Sequence, residues 1–175
     1  MHVFLGLGTN LGDREMNLVT ARDLLMKQNV LVVGQSSVLE TEPLGGLDQP
    51  MYLNQVVECV TELSPQDLFV TCKTVEKEMG RSVEVPIGNV NFGQTGIDSY
   101  PLGHLRASPK GPGESRIIDI DILFYGDQVV EGPSLTIPHP RLTERPFVME
   151  GVLELSPDFV HPVLKKPLKA LLHQA

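Results

Sequence analysis

Two aspartates separated by one residue, Asp119 and Asp121, are well suited to binding a cation. In a β-strand, residues i and i+2 point to the same face about 6.5–7 Å apart, so these carboxylates would repel each other without a cation between them. Mg²⁺ suits them, because it keeps several waters and usually binds one or two carboxylates together with substrate phosphates. The pattern predicts a magnesium site, and the alternative is a solvated face of an antiparallel strand.

Two arginines, Arg81 and Arg116, flank a long segment that is rich in glycine and proline. Between Pro86 and Gly113, ten of 28 residues are Gly or Pro, which predicts a long flexible loop over residues 82–115. Such a loop is either a lid over an active site or simply disordered. A guanidinium presents a fork of donors that fits phosphate oxygens, so the arginines and the aspartates together indicate phosphoryl transfer.

A second group of residues is suited to a planar heterocycle. Tyr52 and Asn54 share one face of an apparent strand, and Phe147 offers a second ring. A ring and an amide together can cover a heterocycle and match its hydrogen-bonding groups, although such residues are more often part of a core or a turn. His139 lies between two prolines, where it is either a structural histidine or a contact to phosphate.

Three glycines near the N-terminus, Gly6, Gly8 and Gly12, follow a strand and precede a helix. Their G-x-G-x-x-x-G spacing differs by one residue from the dinucleotide-binding pattern, and we interpret it as a tight turn with close packing. The sequence contains no G-x-x-x-x-G-K-[ST] motif, which excludes a P-loop kinase.

Hydrophobic periodicity and capping residues predict the elements that hold these side chains. Asp13 is expected to cap a first helix ending near Lys27, and a second helix is expected between Ser64 and Gly80. The strands are expected at residues 2–8, 30–39, 52–60 and 116–124, with a partner strand at 128–130 and a short helix at 146–155. The order β-α-β-β-α-β predicts a ferredoxin-like α+β fold, with a largely antiparallel sheet and both helices on one face.

Length and composition indicate one domain over residues 1–175. The net charge of −8 argues against a nucleic-acid partner, and no apolar run approaches the ~20 residues of a membrane span. The two cysteines form neither a disulfide framework nor a metal-binding spacing. We therefore expect a cytoplasmic protein that acts as a monomer.

Six blocks of the sequence resemble the 6-hydroxymethyl-7,8-dihydropterin pyrophosphokinase family of folate synthesis. They are GTNLG at 8–12, TEPLG at 41–45, QPMYLN at 49–54, EKEMGR at 76–81, RIIDIDILF at 116–124 and IPHPRLTERPF at 137–147. The resemblance implies the same α+β fold and a reaction in which pyrophosphate passes from ATP to the pterin hydroxymethyl group, releasing AMP.

The resemblance also implies a role for each matching residue. Asp119 and Asp121 would bind two Mg²⁺ ions, and Arg81, Arg116 and Asp121 would be catalytic. The implied ATP contacts are Glu76, Arg81, Arg116, Ile122, His139 and Arg145. The implied pterin contacts are Pro43, Leu44, Gly45, Tyr52, Asn54 and Phe147.

The sequence departs from the family pattern in the long loop. The family usually has W-G-P-R before the aspartates, whereas this chain has GESR at 113–116 and no tryptophan. A second loop arginine of many members falls on Val83 here, and Arg106 or Lys110 is available to replace it. Two alternatives to an active enzyme follow: a degenerate homologue that binds pterin or nucleotide without turnover, and a regulatory module that binds phosphate.

Overall fold

Antiparallel strands form the central sheet in the computed structural model, which describes residues 1–43, 49–80 and 117–173. The main strands are β1 (His2–Thr9), β2 (Leu31–Gln35), β3 (Leu39–Thr41), β4 (Tyr52–Val60) and β5 (Asp119–Tyr125). Their order is β2-β4-β1-β5, with β3 also paired to β4. A small ladder joins β6 (Val130–Glu131) to β7 (Thr136–Ile137). The predicted antiparallel α+β fold is confirmed.

Helices α1 (Arg14–Lys27) and α2 (Pro65–Glu78) lie on one face of this sheet, as predicted. The side chain of Asp13 accepts a hydrogen bond from the Met16 N–H at 3.0 Å, and Ser64 caps α2 in the same way. Such caps satisfy N–H groups that have no partner inside the helix. The buried residues of the two helices are Leu18, Ala21, Leu25, Leu68, Cys72, Val75 and Glu76.

The opposite face of the sheet is covered by α3 (Pro146–Leu155) and α4 (Leu168–Leu172). Phe4, Val56, Leu123 and Phe124 of the sheet pack with apolar residues of these two helices. The short helix at 146–155 is confirmed, whereas α4 and the second covered face of the sheet were not predicted. The sheet therefore lies between two apolar layers. Within the described residues, no helix is both long and apolar enough to cross a membrane.

The single strand predicted at residues 30–39 is wrong, because the chain leaves the ladder at Ser36. The Ser36 hydroxyl accepts the N–H of Val56 at 2.9 Å, while the Ser36 N–H donates to the Val56 carbonyl at 2.8 Å. Ser37 then donates its N–H to the carboxylate of Glu154 on α3. A serine hydroxyl thus replaces a main-chain acceptor, and β2 and β3 become separate strands.

The last long strand also differs from its prediction. β5 begins at Asp119, and the ladder register shifts where Phe4 pairs with Phe124 and Leu5 pairs with Ile122. A bulge of this kind breaks the two-residue alternation of side chains. Phe124 therefore packs on the α3 side, whereas the sequence placed it on the same face as Ile122.

The partner of the predicted strand at 128–130 is also different from the expected one. The short strand β6 pairs with β7, and not with β5. The hairpin of β6 and β7 lies at the edge of the main sheet, where β7 contacts β5.

Candidate active site

The main cavity lies between the sheet and the start of α3, and its lining comes from strands far apart in sequence. The ladder register explains this, because Gly8 of β1 pairs with Asn54 on one side and with Asp119 on the other. Gly6 likewise pairs with Asp121. The lining residues with predicted roles are Tyr52, Asn54, Asp119, Asp121, Arg145 and Phe147.

The two β1 glycines form a floor without side chains between the amide-bearing strand and the aspartate-bearing strand. A Cβ added at Gly8 would lie 3.2 Å from the Asn54 Oδ1, closer than an ordinary contact. The Asn54 amide is itself held, because its Nδ2 donates to the Thr41 Oγ1 at 2.8 Å. Its oxygen is thereby directed toward the floor beside Gly8, where an acceptor is available to a ligand.

Asp121 is the centre of a cluster of charged groups. Its Oδ2 accepts a hydrogen bond from the Arg145 Nη1 at 2.9 Å and lies 3.8 Å from the His139 Nε2. Burial lowers the pKa of His139. The positive charges of Arg145 and Arg141 lower this pKa further, whereas the carboxylates of Asp121 and Asp119 oppose the shift. The lowered pKa favours the neutral imidazole, in which Nδ1 accepts the N–H of Arg141 at 3.2 Å and Nε2 is left as a donor.

Arg145 has donor capacity left over. Its Nε is buried and has no hydrogen-bond partner within the described residues. An unsatisfied buried donor on a charged group costs free energy, so an anionic ligand beside Arg145 would be stabilised.

A second cavity lies on the other side of Asp121, between α2, β5 and the β6–β7 hairpin. Ile122 and His139 line it, as do Phe69, Lys73 and Leu135. Asp121 is common to both cavities. Two molecules bound in the two cavities would therefore meet at this carboxylate.

The sequence matches the family model described as 7,8-dihydro-6-hydroxymethylpterin-pyrophosphokinase (HPPK) over residues 4–98 and 102–157. The chain belongs to the HPPK family. It is 35% identical to the 2-amino-4-hydroxy-6-hydroxymethyldihydropteridine pyrophosphokinase of Aquifex aeolicus, over 95% of this chain and 88% of that protein. It is 38% identical to the folic acid synthesis protein fol1 of Schizosaccharomyces pombe, over 97% of this chain.

Several relatives are much longer than this chain, which spans 20% of the Schizosaccharomyces pombe protein and 25% of the mitochondrial folate synthesis bifunctional protein of Pisum sativum. The fold also matches the Plasmodium falciparum HPPK-DHPS solved with pteroate, with a TM-score of 0.67 at 14% identity. That match covers 99% of this chain and 44% of the other. The structural likeness supports the fold.

Two described residues implied by the HPPK resemblance, Glu76 and Pro43, line neither cavity. Glu76 is fully buried, and its Oε1 accepts hydrogen bonds from the Ile120 N–H at 2.8 Å and from the Lys73 Nζ at 2.7 Å. The carboxylate holds the main chain between the two aspartates.

Other predicted residues lie outside the part of the chain that the structure describes. They are Leu44, Gly45, Arg81, Arg116, Val83, Arg106 and Lys110, and the loop predicted over residues 82–115 also lies outside the described residues. Pro43 is described and is half-buried just after β3.

Gly6 and Gly8 were expected in a tight turn, whereas β1 continues through both to Thr9 and the two glycines form the floor of the cavity. Two glycines two residues apart in an apolar strand share one face, and that spacing was the available signal.

Proposed function

We propose that this HPPK-family chain transfers pyrophosphate from ATP to the hydroxymethyl group of 6-hydroxymethyl-7,8-dihydropterin, with release of AMP. The observation that carries the proposal is the meeting of two cavities at Asp121, one with aromatic and amide side chains and one beside a strand edge. The match of the chain to a family named for this reaction supports this choice of substrates.

The pterin is assigned to the main cavity. Tyr52 and Phe147 supply aromatic surface there, and the oriented Asn54 amide supplies an acceptor for ring N–H groups. Burying a polar heterocycle without matched hydrogen bonds is costly, so this amide contributes specificity as well as affinity. Pro43, Leu44 and Gly45 complete the proposed pterin contacts.

ATP is assigned to the second cavity. The N–H of Ile120 points away from β1 and donates to Glu76. Main-chain groups of residues i and i+2 point to the same side of a strand, so those of Ile122 also point away from β1. A purine base can pair with such a strand edge. His139 and Arg145 lie where the phosphates would approach Asp121, and Arg81 and Arg116 are proposed as further phosphate contacts.

Asp119 and Asp121 are proposed as ligands of two Mg²⁺ ions. The described residues contain no cluster of three or more His, Cys, Asp or Glu that would hold a metal alone. A pair of carboxylates fits Mg²⁺ that is shared with a triphosphate, since such ions take the rest of their ligands from phosphate and water. Mg²⁺ held by these carboxylates would neutralise phosphate charge and so assist displacement at phosphorus.

The chain itself contributes position and charge. The pterin hydroxyl oxygen bonds to the β-phosphorus and releases its proton to water. The bond from that phosphorus to the oxygen bridging the α- and β-phosphates breaks, and this oxygen departs with the electron pair as part of AMP. Transfers of this kind depend chiefly on alignment and electrostatic stabilisation. Arg145 stabilises phosphate charge through its free donor, while the glycine floor lets the pterin approach the aspartates.

We also propose that residues 1–175 form one domain that acts as a cytoplasmic monomer. Both apolar clusters of the described residues share the central sheet, which supports a single domain. Sedimentation equilibrium tests the oligomeric state.

The competing function is binding without turnover, which is favoured by the absence of tryptophan and by Val83 at the place of a family arginine. The test incubates the purified chain with ATP, Mg²⁺ and the pterin and resolves the nucleotide products. We expect pterin-dependent AMP and no ADP. Ligand binding without AMP would support the competing function.

The Asp121→Ala variant tests the proposed role of Asp121 in binding Mg²⁺. We expect turnover to fall at least about a hundredfold, the usual scale for loss of one charge-stabilising group. Circular dichroism is expected to stay unchanged, because Asp121 lies on a well-paired strand. Near-normal activity in this variant would contradict the assignment.

A further inference from the structure

A buried ion pair lies between α2 and the outer strand β5. Lys73 and Glu76 are one helical turn apart, and their charged atoms are separated by 2.7 Å. The Glu76 side chain is fully buried and that of Lys73 is 16% exposed. An ion pair this deeply buried is costly to form. Removing one partner strongly destabilises the fold, because the other charge is then left buried without compensation.

The pair binds the main chain of a single β5 residue. The Glu76 Oε1 accepts the Ile120 N–H at 2.8 Å, and the Lys73 Nζ lies 3.5 Å from the Ile120 carbonyl oxygen. Ile120 separates Asp119 from Asp121. The edge of β5 that faces away from β1 has Glu76 and Lys73 beside it at Ile120. There the two side chains make the hydrogen bonds that a neighbouring strand would otherwise make.

The charge of Lys73 is maintained in this environment. Burial lowers the pKa of Lys73, but the carboxylates of Glu76, Asp119 and Asp121 outweigh it, so the pKa is raised above its ordinary value. The ammonium thus offsets carboxylate charge beside the proposed metal site.

We infer that Lys73 is a positioning residue for the two aspartates: it compensates the charge of Glu76, which then holds β5 between Asp119 and Asp121 in the geometry that a metal–nucleotide complex requires. The inference rests on the proposed function for the identity of that complex. Groups that orient metal ligands typically affect metal affinity by about 10- to 100-fold when they are removed.

The test measures Mn²⁺ binding by electron paramagnetic resonance, in the presence of a non-hydrolysable ATP analogue. We expect Lys73→Met to raise the Mn²⁺ dissociation constant at least about tenfold. Lys73→Arg, which retains the charge, is expected to restore most of the affinity. Lys77→Met is the matched control, because Lys77 is exposed on the same helix and loses the same charge.

A double variant separates positioning from general packing. A glutamine at position 76 still offers an oxygen to the Ile120 N–H but needs no counter-charge. We therefore expect Lys73→Met/Glu76→Gln to bind Mn²⁺ more tightly than Lys73→Met alone. Should Lys73→Met not fold, Lys73→Gln gives the same comparison, with a smaller expected rise in the dissociation constant.

Two results would overturn the inference. One is a lowered melting temperature in Lys73→Met with unchanged Mn²⁺ affinity, which indicates a purely structural role. The other is no Mn²⁺–nucleotide binding by the unmodified chain. Failure of the proposed function is distinct from both, because it leaves metal–nucleotide binding sensitive to Lys73 but yields no AMP.

Discussion

Gly8 occupies the middle of a row in which Asn54, Gly8 and Asp119 are direct neighbours on three strands. The absence of a side chain at Gly8 leaves space for a ligand between the amide and the carboxylate. Thr41 holds the amide from its other side, so Asn54 has little freedom to move away. The width of the proposed pterin subsite is therefore set at this glycine.

We expect Gly8→Ala to raise the KM for the pterin about tenfold, equivalent to about 1.4 kcal/mol, because the new Cβ would meet the Asn54 Oδ1 at 3.2 Å. Steady-state kinetics with ATP saturating measure the effect. Gly6→Ala is the comparison at the other glycine of the floor, and we expect a smaller rise in KM, since its Cβ would meet only the flexible Leu123 side chain, at 3.4 Å. Equal effects of both variants would contradict this account of the floor.

The residues of the site were predictable from the sequence where a polar or charged type occurs in an otherwise apolar element. Paired carboxylates in an apolar strand indicated a metal, and the structure brings Asp119 and Asp121 to one cavity with Tyr52, Asn54 and Phe147. The distances to Arg145 and His139 were not predictable, because they depend on how the chain before α3 packs back on β5.

At the scale of elements, α3 contacts the sheet through a glycine. A Cβ at Gly151 would lie 2.5 Å from the Val56 Cγ2 and 2.9 Å from its Cβ. The helix therefore approaches β4 more closely than any larger residue allows. Because α3 begins at Pro146, beside Arg145 and Phe147, this approach also fixes two residues of the site.

We expect Gly151→Ala to destabilise the fold by about 1–3 kcal/mol through overpacking, although alanine favours helices over glycine by about 1 kcal/mol. Urea unfolding measures the change. Glu150→Ala, at an exposed position of the same helix, is expected to have almost no effect. A more stable Gly151→Ala protein would show that the helix is free to move outward.

The elements themselves were predictable where local signals act alone. Asp13, Ser64 and Gly80 mark the ends of helices through hydrogen bonds and a positive φ that operate within one turn. The break at Ser36 and the bulge near Leu123 depend on Val56, Glu154 and Phe4, which are distant in sequence. Such long-range contacts do not change the hydrophobic periodicity of the strand's own sequence, so that periodicity does not indicate them.

At the scale of the molecule, the two cysteines report on the integrity of the core beneath α1 and α2. Cys59 and Cys72 are fully buried among apolar residues. Burial, with a smaller contribution from Glu58, raises the pKa of Cys59 to about 12, and burial likewise raises that of Cys72. The thiolate is the reactive form, so both thiols should be inert in the native fold.

We expect an aromatic disulfide reagent at pH 8 to label the native protein at least about 10³-fold more slowly than the urea-unfolded chain, the ratio set by an ordinary folding equilibrium. Absorbance of the released thiolate measures the rate. Rapid labelling of native protein with an unchanged circular dichroism spectrum would show that the layer under α1 and α2 opens locally.

ATP carrying ³²P in its β-phosphate distinguishes the transfer of pyrophosphate from the transfer of the terminal phosphate alone. The chain is incubated with the labelled ATP, Mg²⁺ and the pterin, and the products are separated. We expect all transferred label in the pterin diphosphate, with unlabelled AMP released in equal amount. Labelled ADP, or pterin free of label, would contradict the transfer of pyrophosphate.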